Sequence, residues 1–174
     1  MVTLLSKSKS VGGYGAISMQ YSEVFNRDAF VFGARGAVVL SHIFAIGLGG
    51  CGFVTDFERY NDYTRQGYAG GYGGLVMEPI ILPRFPVHIS VPILIGAGGV
   101  AYTSYESDFD EDANVISSDA FLVVEPGVEL EMNVTKFFRF AAGGYYRLTS
   151  DIDLMDENSL NGLSVGITLK FGKF

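Results

Sequence analysis

The 174-residue chain has no tryptophan, one cysteine and five prolines, and each of these shortages narrows the class of protein. A single thiol, Cys51, cannot form an intrachain disulfide, so cysteine content does not report the redox compartment. Charged residues make up only 18% of the chain, and the net charge is −7. A surface that binds nucleic acid needs a stripe of Lys and Arg. This acidic chain lacks one, so we expect no nucleic-acid partner.

The composition of the chain also disfavours helices. Gly contributes 23 residues, Phe 14 and Tyr 10, and each Gly costs a helix about 1 kcal/mol relative to Ala. One apolar window, Gly36–Val54, is long enough to be mistaken for a transmembrane helix. Its glycines and the polar break at Ser41-His42 instead favour two strands joined by a turn.

What the chain does contain is strict alternation of apolar and polar residues. In the segment Leu163–Phe171 the odd-numbered residues are apolar, and the even-numbered ones are small or polar. This period of two is typical of a strand with one apolar and one polar face. The same pattern recurs in Val87–Ala101, Phe121–Asn133 and Phe137–Thr149, so the sequence predicts an all-β protein.

The pattern predicts eight strands. They are Val11–Tyr21, Ala29–Leu40, Ile43–Val54, Gly67–Ile81, Val87–Tyr102, Ser118–Asn133, Phe137–Thr149 and Leu163–Phe174. The connections alternate between short turns and long polar loops, which is typical of membrane barrels with both termini on the periplasmic side. We therefore predict an eight-stranded antiparallel up-and-down transmembrane β-barrel, with residues 11–174 as one domain after an N-terminal tail, residues 1–10. The tail has no apolar run long enough for an intact signal peptide, so export is inferred from the barrel pattern.

The residue content of the two faces decides which of them points outward. An eight-stranded barrel is too narrow inside to hold the many Ile, Leu, Val and Phe side chains of the apolar face. An Arg or Lys facing lipid near the midplane would cost roughly 2–4 kcal/mol. The polar face should therefore line a closed lumen, where its charges must be paired. The predicted lumen ion network consists of Arg35, Glu78, Glu125, Glu129, Glu131, Arg139, Arg147 and Lys170.

The ending Leu169–Phe174 and the whole pattern from Val11 onward resemble the small OmpA- and OmpX-type outer-membrane barrels, in particular Bacteroidetes-type barrels. This resemblance implies a monomer in the bacterial outer membrane, in contact with the lipid bilayer and lipopolysaccharide. An aromatic residue at the end of the last strand resembles the signal read by the outer-membrane assembly machinery. Phe174 is out of phase with Leu163–Phe171, and a bulge near Gly172 would restore the usual spacing.

Tyr and Phe residues near the predicted strand ends suggest aromatic girdles at the two membrane interfaces. Aromatic side chains with a polar tip sit favourably between hydrocarbon and water. The residues expected there are Tyr14, Tyr21, Phe30, Tyr68, Tyr102, Phe121, Tyr146 and Phe174.

The candidates for chemistry are few. His42 and His88 lie in or beside predicted short turns, which favours structural roles over a hydrolase or acyltransferase site. The third long loop carries acidic residues at spacings that resemble a calcium loop, but the turn glycine and the bidentate Glu are replaced. Its weak metal candidates are Asp108, Asp110, Asp112, Asn114 and Asp119. We expect an acidic, solvated loop there, and neither a cofactor nor a catalytic site.

Three functions remain open from the sequence. The first is a non-enzymatic outer-membrane barrel with a closed, charge-filled lumen, whose long acidic loops have a structural, envelope or host-interaction role. The second is a soluble lipocalin-like carrier of a small apolar ligand. The third is a narrow barrel that passes small solutes.

Overall fold

The computed structural model describes residues 11–24, 27–55, 58–61, 64–105, 114–150 and 160–174, which form one antiparallel sheet of ten strand segments. In chain order the segments are β1 (Val11–Val24), β2 (Arg27–Leu40), β3 (Phe44–Thr55), β4 (Glu58–Asn61), β5 (Thr64–Ile81), β6 (Val87–Ser90), β7 (Ile93–Tyr105), β8 (Asn114–Asn133), β9 (Phe138–Thr149) and β10 (Gly162–Lys173). Each neighbouring pair is antiparallel, and β1 pairs with β10, so the sheet closes on itself.

The ten segments make eight barrel strands. The short β4 pairs with the start of β5 and extends that end of the sheet. β6 and β7 keep the same register against β5 and β8, so they form one strand interrupted at residues 91–92. The interruption has a local cause, because Pro92 has no N–H to give to the ladder. The predicted eight-stranded antiparallel barrel is confirmed, and each predicted strand matches an observed one to within a few residues.

The short turns all lie at one end of the barrel. Ser41 and His42 both adopt the left-handed conformation, with φ of 54° and 62°, and Ile43 N–H donates to the carbonyl of Leu40 at 3.2 Å. The β5–β6 turn starts at Leu82, with φ of 58°. Tight reversals of this kind set the strand register. We call this end of the barrel the short-turn end.

Exposure alternates along each strand as the sequence predicts. In β10, for example, Lys170 is completely buried, whereas its neighbour Phe171 is 52% exposed. The outward face is apolar around the ring and forms a surface that we call the apolar belt. Its exposed members include Ile17, Phe32, Leu48, Leu75, Ile95, Leu122, Val128, Leu130 and Ile167. In the described part of the chain, no helix has the length and apolar character needed to cross a membrane.

Candidate functional site: a charged network in the barrel lumen

The inward face consists of large charged or aromatic side chains placed against small residues. At Gly127, an added Cβ would lie 2.3 Å from Cδ1 of Tyr145 on the neighbouring strand. Such a distance is well inside van der Waals contact, so the glycine is what allows the Tyr145 ring to lie across β8. The narrow lumen is thus filled by side chains from opposite walls.

Lys170 lies at the centre of this network. Its Nζ is 2.7 Å from Oε1 of Glu78 and 2.9 Å from Oε2 of Glu129, and it also contacts Oε1 of Glu131. Strands β5, β8 and β10 supply these groups, so the ammonium links three separate strands across the lumen. All four side chains are buried. One cation among three carboxylates is held by strong charge-assisted contacts.

Arg35 supplies a second cation to the same carboxylates. Its Nη2 lies 2.8 and 2.7 Å from the two carboxylate oxygens of Glu129 and 3.4 Å from Oε2 of Glu78. Tyr14 donates its hydroxyl to Glu78 at 2.6 Å. Neutral donors complete the shell around Glu129: Tyr145 at 2.5 Å, Thr168 at 3.0 Å and Ser90 at 3.1 Å. Buried carboxylates are tolerated when their lone pairs are filled in this way.

At the short-turn end, Glu131 joins the network to a histidine and an arginine. Its Oε2 lies 2.9 Å from Nε2 of His88 and 3.2 Å from Nη1 of Arg139. The guanidinium of Arg139 stacks on the Phe174 ring, 3.8 Å from the ring centroid. The same ring stacks on Tyr14. Phe174 therefore caps the charged network at this end of the lumen.

Toward the other end, two charged residues lie apart from the central network. Glu125 accepts the hydroxyl of Tyr72 at 2.5 Å, and Arg147 donates Nε to the carbonyl of Leu160 at 2.8 Å. The guanidinium of Arg147 lies 5.7 and 5.8 Å from the ring centroids of Phe53 and Tyr72. Its two terminal nitrogens have no hydrogen-bond partner among the residues that the structure describes. The surroundings are apolar, because buried side chains from several strands pack here around Phe53.

A small cavity of about 30 Å³ separates the central network from this outer cluster. Gln20, Arg35 and Glu125 are among the residues that line it. Within the described part of the chain, Oε1 of Gln20 and Nε of Arg35 have no hydrogen-bond partner. A cavity of this volume has room for about two water molecules, but it is far too small for an organic ligand.

Three buried carboxylates, those of Glu78, Glu129 and Glu131, lie close enough together to suggest a metal site. Nζ of Lys170 contacts all three of them. The lysine therefore already supplies the positive charge that a cation would bring, and the donor set fits an ion pair network better than a metal centre.

The metal candidates of the third loop fall mainly outside the described residues: Asp108, Asp110 and Asp112 lie there, and Asn114 is the first residue of β8. Asp119 is placed on β8, where its carboxylate accepts the N–H of Ala120 at 2.7 Å. That contact is local to the strand.

The structure brings six of the eight predicted lumen charges into one connected cluster, and it leaves two apart. The six are Arg35, Glu78, Glu129, Glu131, Arg139 and Lys170. Glu125 and Arg147 point inward as well but belong to the outer cluster. The neutral donors, chiefly Tyr14, Tyr72, Tyr145 and Thr168, were not predicted from the sequence. For Tyr72, Tyr145 and Thr168 strand parity was the available signal, because each lies an even number of residues from a lumen charge on its own strand.

Three of the girdle expectations, those for Tyr14, Phe121 and Phe174, were wrong because these side chains lie on the inward face of their strands. Tyr14 and Phe121 were predicted as interfacial girdle residues, but they are only 6% and 3% exposed and face the lumen. Tyr21, Phe30 and Tyr146 are exposed as expected. The side chains of Tyr68 and Tyr102 lie outside the described residues.

The bulge expected near Gly172 is also absent. The β1–β10 register runs without a shift from Ser22↔Ser164 to Gly13↔Lys173. Phe174 therefore keeps the inward phase of Lys170, packs against Tyr14 and Arg139, and does not join the outward aromatic residues.

The described lumen holds no arrangement suited to nucleophilic catalysis. His88 contacts Glu131 and Arg139, and Ser90 donates to Glu129. A nucleophile needs a base within hydrogen-bond reach and access to substrate, and these groups are buried and engaged with one another. The chemical effect of the arrangement is to hold opposite charges together across the lumen.

No protein-family model and no curated protein matches the chain. Solved structures do. Neisserial surface protein A is similar with a TM-score of 0.61 at 10% identity, over 97% of this chain and 100% of that one. Ail, the attachment invasion locus protein of Yersinia pestis, in complex with the heparin analogue sucrose octasulfate, is similar with a TM-score of 0.54 at 11% identity, over 95% and 99%. A second Ail structure has a TM-score of 0.50 at 14% identity, over 93% and 97%. At such low identity these likenesses concern the fold, and the fold of this chain is that of a bacterial outer-membrane β-barrel.

Proposed function

We propose that this protein is an integral outer-membrane barrel that works without catalysis, as a closed anchor that presents its long acidic loops to envelope or host molecules. The observation that carries the proposal is the inverted distribution of its side chains. Charged side chains lie inside, where six of the eight form one ion-pair network, and the apolar belt lies outside.

The exterior fits a bilayer and does not fit water. Leu48 is 70% exposed, and Leu122 and Leu163 are 66% and 64% exposed, within a belt that continues around the ring. Soluble monomers seldom expose apolar patches beyond a few hundred Å². In hydrocarbon the same belt is favourable, and closure of the ring gives each of the eight barrel strands a paired neighbour on both sides.

The interior supports a closed barrel. Lys170 and Arg35 reach Glu78 and Glu129 across the lumen, and Arg139 with Phe174 fills the short-turn end. The 30 Å³ cavity lies between these groups and the outer cluster. A solute would have to break several buried ion pairs in order to pass, and each break leaves a charge uncompensated.

The long connections indicate the charge of an external partner. Segments 103–117 and 150–162 contain several Asp and Glu residues and no Lys or Arg. A polyanion such as the sucrose octasulfate bound by Ail would be repelled by them, so we propose a cationic partner, or lipopolysaccharide phosphates bridged by divalent cations. Cation binding within Asp108–Asp119 and delivery by the outer-membrane assembly machinery stay predictions.

The alternatives fit less well. A lipocalin-like carrier needs an apolar lumen with room for a ligand, whereas the described part of this lumen is charged and its 30 Å³ cavity has room for water but not for a ligand. An enzyme needs an accessible nucleophile, and the described lumen has none. The solved structures named above are described as surface or attachment proteins, and none is described as an enzyme.

Conductance in planar bilayers tests the closed anchor. We expect the intact protein to insert without producing stable, large ion currents, because the charged network blocks the lumen. A paired double variant, Arg35→Ala with Glu129→Ala, removes one cation and one anion and leaves a void. It should conduct measurably more than the wild type.

The control for that recording is the double variant Arg84→Ala with Asp28→Ala, which removes one exposed charge of each sign outside the lumen. Its currents should match the wild type. Large, steady currents through the unaltered protein would refute the closed lumen and favour the solute-passing alternative.

A further inference from the structure

We propose that the short-turn end of the barrel carries a binding site for anionic phospholipid headgroups, formed by Arg84, Lys136 and Lys173. We call these three residues the basic rim. The inference rests on the proposed membrane insertion and goes beyond it, because it assigns a lipid class to one end of the barrel.

The three cations lie along one continuous arc. The β5–β6 turn contacts the β8–β9 turn, since Asn133 donates its side-chain amide to the carbonyl of Phe85 at 3.2 Å. The backbone N–H of Asn133 also donates to the carbonyl of Pro86 at 2.8 Å. The next link joins that turn to β10, because Gly172 N–H donates to the carbonyl of Phe137 at 2.9 Å. Arg84, Lys136 and Lys173 therefore lie on three adjoining parts of the rim.

The basic rim has no internal counter-charge. All three residues are exposed, and no carboxylate of a described residue lies within ion-pair distance of them. The turns at residues 41–43, 82–86 and 134–137 contain no Asp or Glu. The long connections toward the other end of the barrel, by contrast, contain more Asp and Glu than Lys and Arg. The barrel is therefore electrostatically polar along its axis.

Apolar side chains alternate with these cations. Phe85 follows Arg84 and is 57% exposed, and Phe137 follows Lys136 and is 68% exposed. Leu82 and Val134 begin the same two turns and are 58% and 49% exposed. Exposed aromatic groups beside Lys and Arg suit the headgroup region, where rings enter the acyl boundary and cations meet phosphates. A purely aqueous polyanion would leave the apolar groups in water, so a lipid is the partner that satisfies both kinds of side chain.

A fluorescent probe can measure this binding, because the chain has no tryptophan. Phe85→Trp places a single indole in the basic rim. The protein is folded into phosphatidylcholine vesicles that contain a minority of brominated phosphatidylglycerol, and in parallel into vesicles with the same fraction of brominated phosphatidylcholine. We expect stronger quenching by the anionic lipid than its bulk fraction predicts.

The test variant adds Arg84→Gln, Lys136→Gln and Lys173→Gln. The local excess of phosphatidylglycerol should fall about fivefold for each cation that contacts the headgroup, which is the usual strength of one Lys or Arg at an anionic surface. The matched control adds Arg27→Gln, Arg59→Gln and Arg65→Gln, at strand positions toward the opposite end of the barrel. It changes the net charge equally and should keep the excess.

The outcomes separate the two proposals. Insertion with equal quenching by both brominated lipids would overturn the basic rim and leave the membrane location standing. An equal loss of excess in both triple variants would also overturn it, since net charge and not position would then govern the effect. If the protein folds into no vesicle at all, the membrane proposal itself is wrong.

Discussion

At the scale of the residue, the central fact is that a buried lysine is compensated by three carboxylates. Lys170 is fully buried, as are Glu78, Glu129 and Glu131 to within 1%. Removing an ion from water costs several kcal/mol, and only close opposite charges and hydrogen bonds recover that cost. Such a site is therefore sensitive to the loss of any one charge.

Lys170→Met is expected to destabilise the barrel by about 3–5 kcal/mol, because it leaves carboxylates in the lumen without their central cation. The measurement is urea-induced unfolding in lipid vesicles, followed by the mobility shift between folded and unfolded protein on gels. Lys173→Met is the control, since Lys173 lies on the same strand but is exposed. A similar midpoint for both variants would contradict the network as described.

The packing of side chains in the lumen should also be sensitive to a substitution at Gly127. Gly127→Ala would drive a methyl group into the Tyr145 ring, whose hydroxyl donates to Glu129. We expect a loss of about 1–3 kcal/mol, which is usual for overpacking. Gly15→Ala is the matched control, because an added Cβ there meets nothing within 4 Å. The same unfolding assay compares them, and equal midpoints would show that the lumen is looser than the structure indicates.

At the scale of the element, each strand is a ribbon with two environments. Successive residues of a strand differ in their exposure: Lys170 is buried in the lumen, and Phe171 is exposed on the outside. Because the period is two, a register slip by one residue would place charges in lipid and the apolar belt in the lumen. The cost of that exchange is what holds the strands in register. Tight turns such as Leu40–Ile43 add to it.

A charge placed on the outward face of a strand should block assembly. Leu130→Arg puts a guanidinium on the apolar belt, where Leu130 is 57% exposed, at a cost of up to roughly 2–4 kcal/mol depending on its depth. Ile93→Arg and Ile167→Arg should act in the same way. The readout is the yield of heat-modifiable folded protein in vesicles.

The control for this series is Val134→Arg. Val134 belongs to the turn that follows the strand of Leu130, and it is 49% exposed at the short-turn end, beside Lys136. Its yield should stay near that of the wild type, because an arginine there reaches water and headgroups. If Leu130→Arg folds as well as Val134→Arg does, the outward face does not meet hydrocarbon.

At the scale of the whole molecule, closure of the sheet gives each of the eight barrel strands two neighbours and separates the lumen from the surroundings of the barrel. The β1–β10 pairing completes the ring. The apolar belt covers its outside, and the charged network fills the centre of its lumen. This combination suits a chain that crosses a bilayer and has a lumen filled by side chains. It also makes the isolated protein dependent on an amphiphile.

We expect the purified protein to be monodisperse in detergent and to aggregate when detergent is removed, because the apolar belt is then left in water. Size-exclusion chromatography with light scattering measures this directly. Monodisperse behaviour in plain buffer, with a small apolar molecule co-purifying, would contradict the membrane assignment and support the carrier alternative.

Much of the fold could be predicted from alternation because a strand with one apolar side has a local signature. Leu163–Phe171 shows it without help from any other segment. The residue composition of the two faces then indicated which one points outward, since an eight-stranded lumen is too narrow to hold all the apolar side chains. The alternation of short and long connections predicted the up-and-down order. Strand periodicity, face composition and connection length can each be read from individual segments of the chain, so the sequence was enough to predict them.

Tertiary structure alone decided which lumen groups meet. Parity placed eight charges inside, but the stagger between distant strands determines that Lys170 on β10 reaches Glu78 on β5 and Glu129 on β8. The same stagger places Arg147 beside the aromatic rings of Phe53 and Tyr72. Tyr14 and Phe174 were assigned outward from their nearness to strand ends, and the unbroken β1–β10 register turns them inward. Alternation is a local property of the chain, whereas contact across the barrel depends on its closure and radius.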